Sequence, residues 1–416
     1  MSTLKVLHIT TSSKGGAGIA ALRLHEALRS QGISSAFLAT DLTIGFDGKQ
    51  QEDTFFKYQR PNLLKRIANK VRRAIRLTHA EIAQKEIDSV KAKLQYETLS
   101  LPYSKHQLHL HPLVQAADIV NLHWTGIILD YEHFFGHCQK PIVWTLHDMN
   151  PFQGIFHYKD DEIRNAEYIG QLDEAVKTFK RQIMKNVEVG AIVAPSKWML
   201  SEANKSGFFD HFEKIHIPNS VDLTLFKMQD KRVLREQYGI DENDLVILFI
   251  SGSLDNARKG LDLLMAALPM LEETGINLLT IGKGPVNVPE SLKVIPLGAI
   301  KEASKMAECY ALADAFVLPS REDNLPNVML ESFACGVPVI SFFTGGMKEH
   351  IVEGKTGSFA KSMDAAALAN TIDRFNEQRA SFIAADIRAY AEQNFNAARQ
   401  AMAYIELYDI LEKKNV

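Results

Sequence analysis

Cysteine is scarce in this chain, and its three cysteines stand far apart in the sequence. Cys138, Cys309 and Cys335 lack the close spacing of metal-ligating cysteines. We expect them to be small buried apolar side chains in a reducing compartment, because structural disulfides belong to oxidising compartments. The scarcity therefore argues against a cysteine-based metal site and against a disulfide framework.

Long apolar runs are also absent, and so is an excess of charge of one sign. No segment approaches the roughly 20 apolar residues that a membrane-spanning helix needs. The first residues, up to Thr10, contain only a strand-length apolar run, which is too short for a secretory signal. The net charge of −3 gives no field that would attract nucleic acid. These absences predict a cytoplasmic protein without a nucleic-acid partner.

Strand-like apolar runs that alternate with helix-like stretches dominate what is present. With 416 residues, 46% apolar and 23% charged, the chain is long enough for two or three domains. The alternation predicts α/β domains with parallel sheets and crossover helices. The strand candidates are Lys5–Ile9, Ser35–Ala39, Asp118–Leu122, Ile142–Leu146, Ala191–Ala194, Leu245–Ile250, Asn277–Ile281, Lys293–Ile295, Ala315–Leu318 and Val337–Ser341.

A turn-forming segment, Ile217–Asp222, separates the two sets of strands. Its Pro-Asn-Ser sequence is typical of turns, so we place the domain boundary there. The predicted organisation is an N-terminal domain over 1–222, a C-terminal domain over 223–395 and a terminal helix over 396–416. We expect that helix to return to the N-terminal domain. Ligands of doubly wound sheets bind beyond the carboxyl ends of the strands, which directs the search for a site.

One basic segment interrupts the alternation. Residues 55–80 contain eight Lys or Arg residues and no acidic residue, and about 57–80 would be an insertion in the first domain. Apolar residues share one face of a helical wheel, so 60–77 is predicted to be a basic amphipathic helix. Such a helix binds an anionic membrane surface, or it packs on its own domain with a solvated basic face. Both alternatives stay open, and the first would make the protein peripheral on the inner face of the cell membrane.

A glycine-rich loop, Thr11–Gly18, follows the first predicted strand. Gly15 and Gly16 would let a ligand approach the backbone at a helix N-terminus. The loop matches neither the Gly-x-Gly-x-x-Gly dinucleotide pattern nor the Walker Gly-Lys-Ser/Thr sequence. It therefore indicates either a ligand-binding loop or a tight turn between a strand and a helix.

A pair of adjacent cations follows the first strand of the second domain. Ser251-Gly252-Ser253 leads to Arg258, Lys259 and Gly260, and a helix is predicted from Leu261 onward. Arg258 can make two contacts to one phosphate, while Lys259 is a mobile point charge. The position after a strand favours phosphate binding over an exposed charged loop.

The segment Pro319–Glu331 combines carboxylates with a predicted helix start near Asn327. A helix N-terminus offers unpaired N–H groups and a partial positive charge, which suit phosphate. Glu331 stands among apolar residues and needs a partner, such as a sugar hydroxyl. Asp323 lies eight residues before it, and Glu322 is equally acidic, so either could face the ligand. Helix capping is the structural alternative for Asp323.

Two histidines stand where predicted parallel strands end. His123 follows one strand candidate, and His147, with Asp148 beside it, follows the next. A histidine at this edge can donate to a sugar hydroxyl or a phosphate, and an adjacent aspartate can orient it or bind hydroxyls. A structural histidine is the alternative for either one alone. Two at matching strand ends favour a functional role for at least one.

Taken together, these motifs resemble the GT-B glycosyltransferases of family 4, along nearly the whole chain. Ser220 replaces the glycine usual in the family, and Asp323 stands where glutamate is usual. The resemblance implies two doubly wound Rossmann-like domains that face a central cleft. The matching segments, in the order of the family, are Gly15–Gly18, Ile217–Asp222 with Phe226, Arg258–Gly260, Ile281–Pro285, Pro319–Glu331 and Ala334–Val339.

A further block, Leu146–Phe152 with Gly154, His157 and Tyr158, is similar to one in capsule and exopolysaccharide transferases. This similarity implies a role in bacterial surface-polysaccharide assembly.

The resemblance also implies residue roles. Arg258 and Lys259 would neutralise the leaving donor diphosphate. Glu331 would bind the nucleotide ribose, and Asp323 would bind donor-sugar hydroxyls unless Glu322 takes that place. The catalytic set would be His147, Arg258, Lys259 and Asp323, with His123 and Asp148 on the acceptor side. The other donor-binding positions would be Gly15, Gly16, Gly252, Gly298, Asn324, Leu325, Pro326 and Asn327.

The implied reaction is a retaining hexosyl transfer from a nucleotide-diphosphate sugar, UDP favoured, to a saccharide or lipid-linked acceptor. The chain has no Asp-x-Asp motif, so no metal cofactor is expected, and the two cations would take the role of a metal. Two other classes stay open. One is a sugar-nucleotide epimerase or hydrolase of the same architecture, and the other is a non-catalytic nucleotide-sugar-binding protein.

Overall fold

The computed structural model describes residues 4–42, 54–58, 78–272, 275–286 and 293–415. Contacts within the chain divide these residues into two units. Unit 1 comprises the described residues up to Ile217 together with those from Ala401 on, and unit 2 comprises Pro218–Gln400.

Unit 1 contains a parallel sheet whose described strands lie in the order β3-β2-β1-β4-β5-β6-β7. Val, Ile and Leu dominate β4, and all residues of β4, β5 and β6 are buried, as expected for strands covered on both faces. The strands are β1 Lys5–Ser12, β2 Ser34–Asp41, β3 Phe55–Lys57, β4 Ile119–Leu122, β5 Ile142–Thr145, β6 Gly190–Ala194 and β7 Glu213–His216.

The helices of unit 1 connect these strands. Capping side chains fix several of their starts, as where Ser196 accepts a hydrogen bond from the Met199 N–H. The described helices are α1 Gly15–Ser30, α2 His79–Val90, α3 Pro112–Ala116, α4 Tyr131–His137, α5 Lys159–Met184 and α6 Lys197–Ser206.

Unit 2 contains a second parallel sheet, with its described strands in the order β10-β9-β8-β11-β12-β13. The strands are β8 Leu245–Ser253, β9 Ile276–Lys283, β10 Lys293–Gly298, β11 Ala315–Leu318, β12 Val339–Phe342 and β13 Gly357–Ala360. The helices are α7 Lys231–Tyr238, α8 Leu261–Ala267, α9 Ala303–Leu312, α10 Asn327–Ala334, α11 Ala365–Gln378 and α12 Ala384–Asn394.

Strand β8 explains why unit 2 has apolar cores on both faces of its sheet. Val246, Leu248 and Ile250 pack in one core cluster, whereas Leu245 and Phe249 pack in the other. This alternation follows from the two-residue period of a strand, which sends successive side chains to opposite faces. Packing on both faces holds β8 in place, so the polar residues Ser251–Ser253 at its carboxyl end have a fixed position.

The last helix, α13, spans Ala397–Lys414, and its residues from Ala401 on are part of unit 1. Its buried Tyr404 hydroxyl lies 2.9 Å from Thr145 Oγ1. The Tyr408 hydroxyl accepts a hydrogen bond of 3.0 Å from Asn121 Nδ2. These contacts bind the terminal helix to strands β4 and β5.

The α/β fold with two doubly wound parallel sheets, predicted from the alternation, is confirmed, and so are all ten strand candidates. Sequence inspection missed β3, β7 and β13. Strand β7 is only half-buried and reads Glu-Lys-Ile-His, which lacks the apolar run that a central strand shows. Most of the basic segment, including the predicted helix over 60–77, lies outside the described residues, and its first residues, Phe55–Lys57, form β3.

Within the described ranges no helix is both long enough and apolar enough to cross a membrane.

Candidate active site

The turn after β8 carries the two predicted phosphate-binding cations. Residues Ala257–Lys259 form a single 3₁₀ turn, and Asn256 caps it by accepting a hydrogen bond of 3.1 Å from the Arg258 N–H. The Arg258 carbonyl oxygen also accepts a hydrogen bond of 2.8 Å from the Arg321 N–H. The turn is therefore fixed both to its own cap and to the segment that follows β11.

Gly260 ends this turn with a φ of 74° and lies directly against the chain at Pro319. A Cβ atom at Gly260 would stand 2.0 Å from the Pro319 carbonyl oxygen. Only glycine combines this backbone conformation with this close approach. Gly260 therefore brings the Arg258–Lys259 turn onto the segment that begins at Pro319.

We expect Gly260→Ala to lower the free energy of unfolding of unit 2 by more than the roughly 1–3 kcal/mol that left-handed strain alone costs. Gly239→Ala is the matched control, because Gly239 has a φ of 63° but open space around the position of a Cβ. Urea unfolding of both variants measures the difference. Equal losses in the two variants would contradict the proposed contact with Pro319.

Asp323 is the carboxylate that the structure places on the two cations. Its Oδ2 lies 2.5 Å from Lys259 Nζ and 3.5 Å from Arg258 Nη1, and all three side chains are less than one fifth exposed. Burial opposes ionisation of Asp323, but the charges of Lys259 and Arg258 outweigh it and hold the pKa of the carboxyl below its ordinary value. The cluster thus contains a fixed negative charge between two positive ones.

Glu322, the other candidate, is held through its backbone. Arg258 Nη1 donates a hydrogen bond of 2.7 Å to the Glu322 carbonyl oxygen, and the Glu322 side chain is buried. Its neighbour Asp323 is fixed from the far side, where the Gly346 N–H donates to the Asp323 carbonyl at 3.1 Å. Asp323 is the carboxylate that forms ion pairs with Lys259 and Arg258.

Glu331 lies in α10, which begins at Asn327 as predicted, directly after Pro326. Its side chain is buried, and Oε2 accepts a hydrogen bond of 3.1 Å from the Tyr310 hydroxyl. Tyr310 also lies 3.0 Å from the Val328 carbonyl oxygen, which fixes the phenol. Tyr310, on α9, is therefore one hydrogen-bond donor to the Glu331 carboxylate. No sequence pattern predicted this contact.

The residues between Asp323 and Glu331 are buried, except for Val328, which is half-buried. The Asn219 amide lies 3.5 Å from the Leu325 carbonyl and 3.4 Å from Asn327 Oδ1. The predicted residues of this segment are Asn324, Leu325, Pro326 and Asn327. Two further predicted glycines, Gly252 at the end of β8 and Gly298 at the end of β10, are exposed with open space at the Cβ position.

In unit 1 the glycine-rich loop joins β1 to α1, which starts at Gly15. Gly15 and Gly16 are exposed, and a Cβ atom at either position would meet open space. Packing therefore does not explain the glycine at position 16, and the backbone there is accessible to a ligand.

His123 and His147 are joined to each other and to a third histidine. His123 Nδ1 lies 3.0 Å from His147 Nε2, and His123 Nε2 lies 2.9 Å from His8 Nδ1. His8 and His123 are fully buried, whereas His147 is half-buried at the end of the chain of rings. Burial lowers the pKa of all three imidazoles, to about 4 for His147.

Asp148 already has three donors within the protein. Its Oδ2 accepts hydrogen bonds from His157 Nδ1 at 2.6 Å and Trp124 Nε1 at 2.8 Å, and its Oδ1 accepts from the Asn150 N–H at 3.0 Å. His157 Nε2 in turn lies 2.8 Å from the Ser100 hydroxyl. This buried network fixes the backbone beside His147, so its direct effect is to position that histidine.

A buried lysine organises the loop that follows. Lys180 Nζ, on α5, donates to the carbonyl oxygens of Asn150, Gln153 and Gly154 at 2.8, 3.2 and 2.6 Å. Burial lowers the pKa of this lysine to about 7, against the opposing charges of Asp173 and Asp148. The motif after His147 is thus fixed by a residue from a distant helix, which sequence inspection did not find.

The structure therefore brings the predicted residues together in two groups. In unit 2, Arg258, Lys259 and Asp323 form one ion-paired cluster, and Glu331 lies on the helix that follows it. In unit 1, His123 and His147 are hydrogen-bonded, with Asp148 beside them. Over the described part of the chain, no group of three or more His, Cys, Asp or Glu residues is arranged to hold a metal ion.

Comparison with known proteins places both sheets in one fold family. Over 98% of its length the chain superposes on HepE from Anabaena in complex with UDP-glucose, with a TM-score of 0.66, 16% identity and 99% of that chain covered. A sucrose-phosphate synthase from Thermosynechococcus elongatus gives a TM-score of 0.68 at 18% identity, over 98% of this chain and 99% of that one. Two parallel-sheet α/β domains of this type define the GT-B fold.

The family model that matches this chain lies within unit 2. Residues 244–378 match the family model described as Glycosyl transferases group 1. N-acetyl-alpha-D-glucosaminyl L-malate synthase of Bacillus anthracis is 29% identical over 36% of this chain and 41% of its own length. A GDP-mannose-dependent alpha-(1-6)-phosphatidylinositol monomannoside mannosyltransferase of Mycolicibacterium smegmatis is 31% identical over 38% and 45%. The chain thus spans less than half the length of these two relatives. The chain has the GT-B fold, and it is similar to glycosyltransferases of the family 4 type over residues 244–378.

Proposed function

We propose that the protein is a glycosyltransferase that moves a sugar from a nucleotide-diphosphate sugar to a saccharide or lipid-linked acceptor. The observation that carries the proposal is the pair Arg258 and Lys259, fixed by Gly260 and the 3₁₀ turn at the carboxyl end of β8. Two adjacent cations at this edge suit a diphosphate, whose oxygens accept several charge-assisted hydrogen bonds.

The proposed chemistry follows from where charge develops. The bond between the sugar C1 and the diphosphate oxygen breaks, so negative charge grows on the leaving diphosphate while the sugar becomes positively charged. Cations held in place before the reaction stabilise this charge without reorganisation. Arg258 and Lys259 would serve the diphosphate, and the Asp323 carboxylate on the same cluster would accept hydrogen bonds from donor-sugar hydroxyls.

Glu331 is proposed to bind the ribose hydroxyls of the donor nucleotide, and the backbone of Asn324–Asn327 to lie at the phosphate or sugar. His147 is proposed to contact the transferred sugar, while Gly15 and Gly16 leave room for donor phosphate or acceptor. His147 is half-buried whereas His123 is buried, which favours His147 for this contact. Retention, independence of a metal and a role in surface-polysaccharide synthesis remain part of the proposal.

UDP is proposed as the donor nucleotide, on the support that a structural relative, HepE, was crystallised with UDP-glucose. The matched mannosyltransferase is described as GDP-mannose-dependent, which makes GDP the alternative to test. A cytoplasmic location, with or without attachment to an anionic membrane through residues 60–77, completes the proposal.

A thermal-shift panel of nucleotides and sugar nucleotides tests the nucleotide. The matching diphosphate at about 100 times its dissociation constant should stabilise the fold by about 2.7 kcal/mol, because it binds only the folded state. Arg258→Ala should abolish this shift. Arg232→Ala, an exposed arginine on α7, should retain it. A panel without any stabilising nucleotide would contradict the proposal.

Turnover assays distinguish a glycosyltransferase from a hydrolase, an epimerase and a binding protein. A glycosyltransferase releases nucleotide diphosphate in proportion to the acceptor that is added, whereas a hydrolase releases it without an acceptor. An epimerase changes the sugar without releasing the nucleotide. A binding protein gives the thermal shift without turnover under any of these conditions.

A further inference from the structure

Three imidazole rings form a hydrogen-bonded line through unit 1, and its inner end, His8, lies outside the predicted site. His8 lies on β1, His123 follows β4, and His147 follows β5, one residue beyond Leu146. The two links are nearly identical, with ring centroids 5.2 and 5.3 Å apart and ring planes inclined by 28° and 27°. The nitrogen atoms of each link are within 3.0 Å of each other.

The register of the sheet produces this line. His8 pairs with Asn121 in the ladder between β1 and β4, and His123 follows Asn121 by two residues. Because successive side chains alternate between faces, His8, Asn121 and His123 point to one face. The line of rings therefore rises from the interior of the sheet towards its carboxyl edge, where His147 stands.

Each link of the line contains one proton when the rings are neutral, which leaves two possible orders. In the outward order, Nδ1–H of His8 donates to Nε2 of His123, and Nδ1–H of His123 donates to Nε2 of His147. In the inward order, Nε2–H of His147 donates to His123, and Nε2–H of His123 donates to His8. The inward order leaves the last proton on Nε2 of His8.

The surroundings of His8 distinguish the two orders. Its Nε2 atom is buried and has no hydrogen-bond partner among the residues that the structure describes. The inward order would therefore bury an N–H without an acceptor, and buried N–H groups without acceptors are rarer in proteins than buried acceptors without donors. His25, the nearest other imidazole at 5.9 Å, is bonded to Ser35 and Thr54 instead.

We propose that His8 and His123 are positioning residues that hold His147 in the tautomer with its proton on Nδ1. Burial keeps the line neutral at physiological pH, since it lowers the pKa of all three rings. His147 then presents an N–H donor rather than an acceptor on its Nδ1 side. This consequence for the reaction rests on the proposed function, because an N–H donor suits a sugar hydroxyl or ring oxygen. The tautomer itself does not depend on it.

Long-range proton–nitrogen NMR of protein labelled with ¹⁵N-histidine tests the tautomer directly. His123 and His147 should both show a protonated Nδ1 and a lone-pair Nε2, with resonances assigned by single substitutions. His123→Leu removes the donor, so His147 should lose this pattern and shift to the Nε2–H form. His123→Asn, whose side-chain amide can replace the Nδ1–H donor, should preserve it.

His25→Leu is the matched control, since it removes an equally buried imidazole outside the line and should leave the His147 tautomer unchanged. A protonated Nε2 on His147 in the parent protein would overturn the proposal, and that measurement needs only the substitution of His147 that assigns its resonances. An unchanged His147 pattern in His123→Leu would overturn it as well. If the reaction is glycosyl transfer, kcat should fall in His123→Leu and recover in His123→Asn. A correct tautomer without this kinetic effect would contradict only the proposed role of His147.

Discussion

A Lys259→Ala variant is expected to lose about 10²-fold or more of its turnover with a nucleotide-sugar donor, the usual effect of removing one preorganised group from a developing charge. Lys259 Nζ lies 2.5 Å from Asp323 in the free protein, so the substitution also leaves that carboxylate with Arg258 alone at 3.5 Å. Removing the Lys259 ammonium would therefore take one positive charge from both the leaving diphosphate and the Asp323 carboxylate. Initial rates at saturating donor measure the effect.

Two further variants make this prediction specific. Lys361→Ala removes an exposed lysine of the same unit and should keep parental turnover. Lys259→Arg keeps the charge but changes its geometry, so its loss should be smaller than that of Lys259→Ala. Near-parental activity of the alanine variant, with the fold intact by circular dichroism, would refute the assignment of Lys259 to the diphosphate.

Stability is expected to fall steeply as the pH drops from 6.5 towards 4. Burial, with help from Arg29, lowers the pKa of His25 to about 3, and burial lowers that of His147 to about 4. The unfolded chain therefore binds protons below pH 6.5 that the folded chain does not bind, and the free energy of unfolding decreases. His147 alone contributes a loss of about 3 kcal/mol by pH 4. His8 and His123 change in the same direction.

Urea unfolding at a series of pH values between 8 and 5 measures this loss. His25→Gln lacks one of the groups, so its free energy of unfolding should fall less steeply below pH 6, by about 1 kcal/mol per pH unit. Ser35→Ala removes a partner of His25 at 2.7 Å but keeps the imidazole, so the steep fall should persist. Parallel curves for His25→Gln and the parent would show that His25 does not remain neutral in the folded protein.

Local sequence was sufficient for much of the fold. Apolar runs such as Ala315–Leu318 predicted strands because a buried parallel strand has few polar positions, and the helix start predicted near Asn327 matches the first residue of α10. The missed strands were those without such a run. The three-residue β3 lies next to basic residues, and half of β7 is charged. Their pairing depends on neighbouring strands, which local composition does not describe.

Local sequence was less informative about which side chains contact each other in the folded chain. Glu331 was recognisable as a carboxylate among apolar residues, but Tyr310, which donates to it, lies 21 positions away on another helix. Lys180 is one of three lysines on α5, and only folding reveals that it is wholly buried and donates to three loop carbonyls. His8 carried no signal at all, since a histidine within a strand is ordinary.

Local sequence predicts which chemical groups stand at the carboxyl ends of the strands, because strand periodicity and turn residues act over a few positions. It placed Arg258 and Lys259 after β8, Asp323 after β11 and His147 after β5. Folding alone establishes that Asp323 pairs with Lys259 and Arg258, which are 64 and 65 positions away in the chain, and that His147 ends a line of buried imidazoles. Those contacts arise from sheet register and from close approaches such as that of Gly260 to Pro319, which join segments that are distant in sequence.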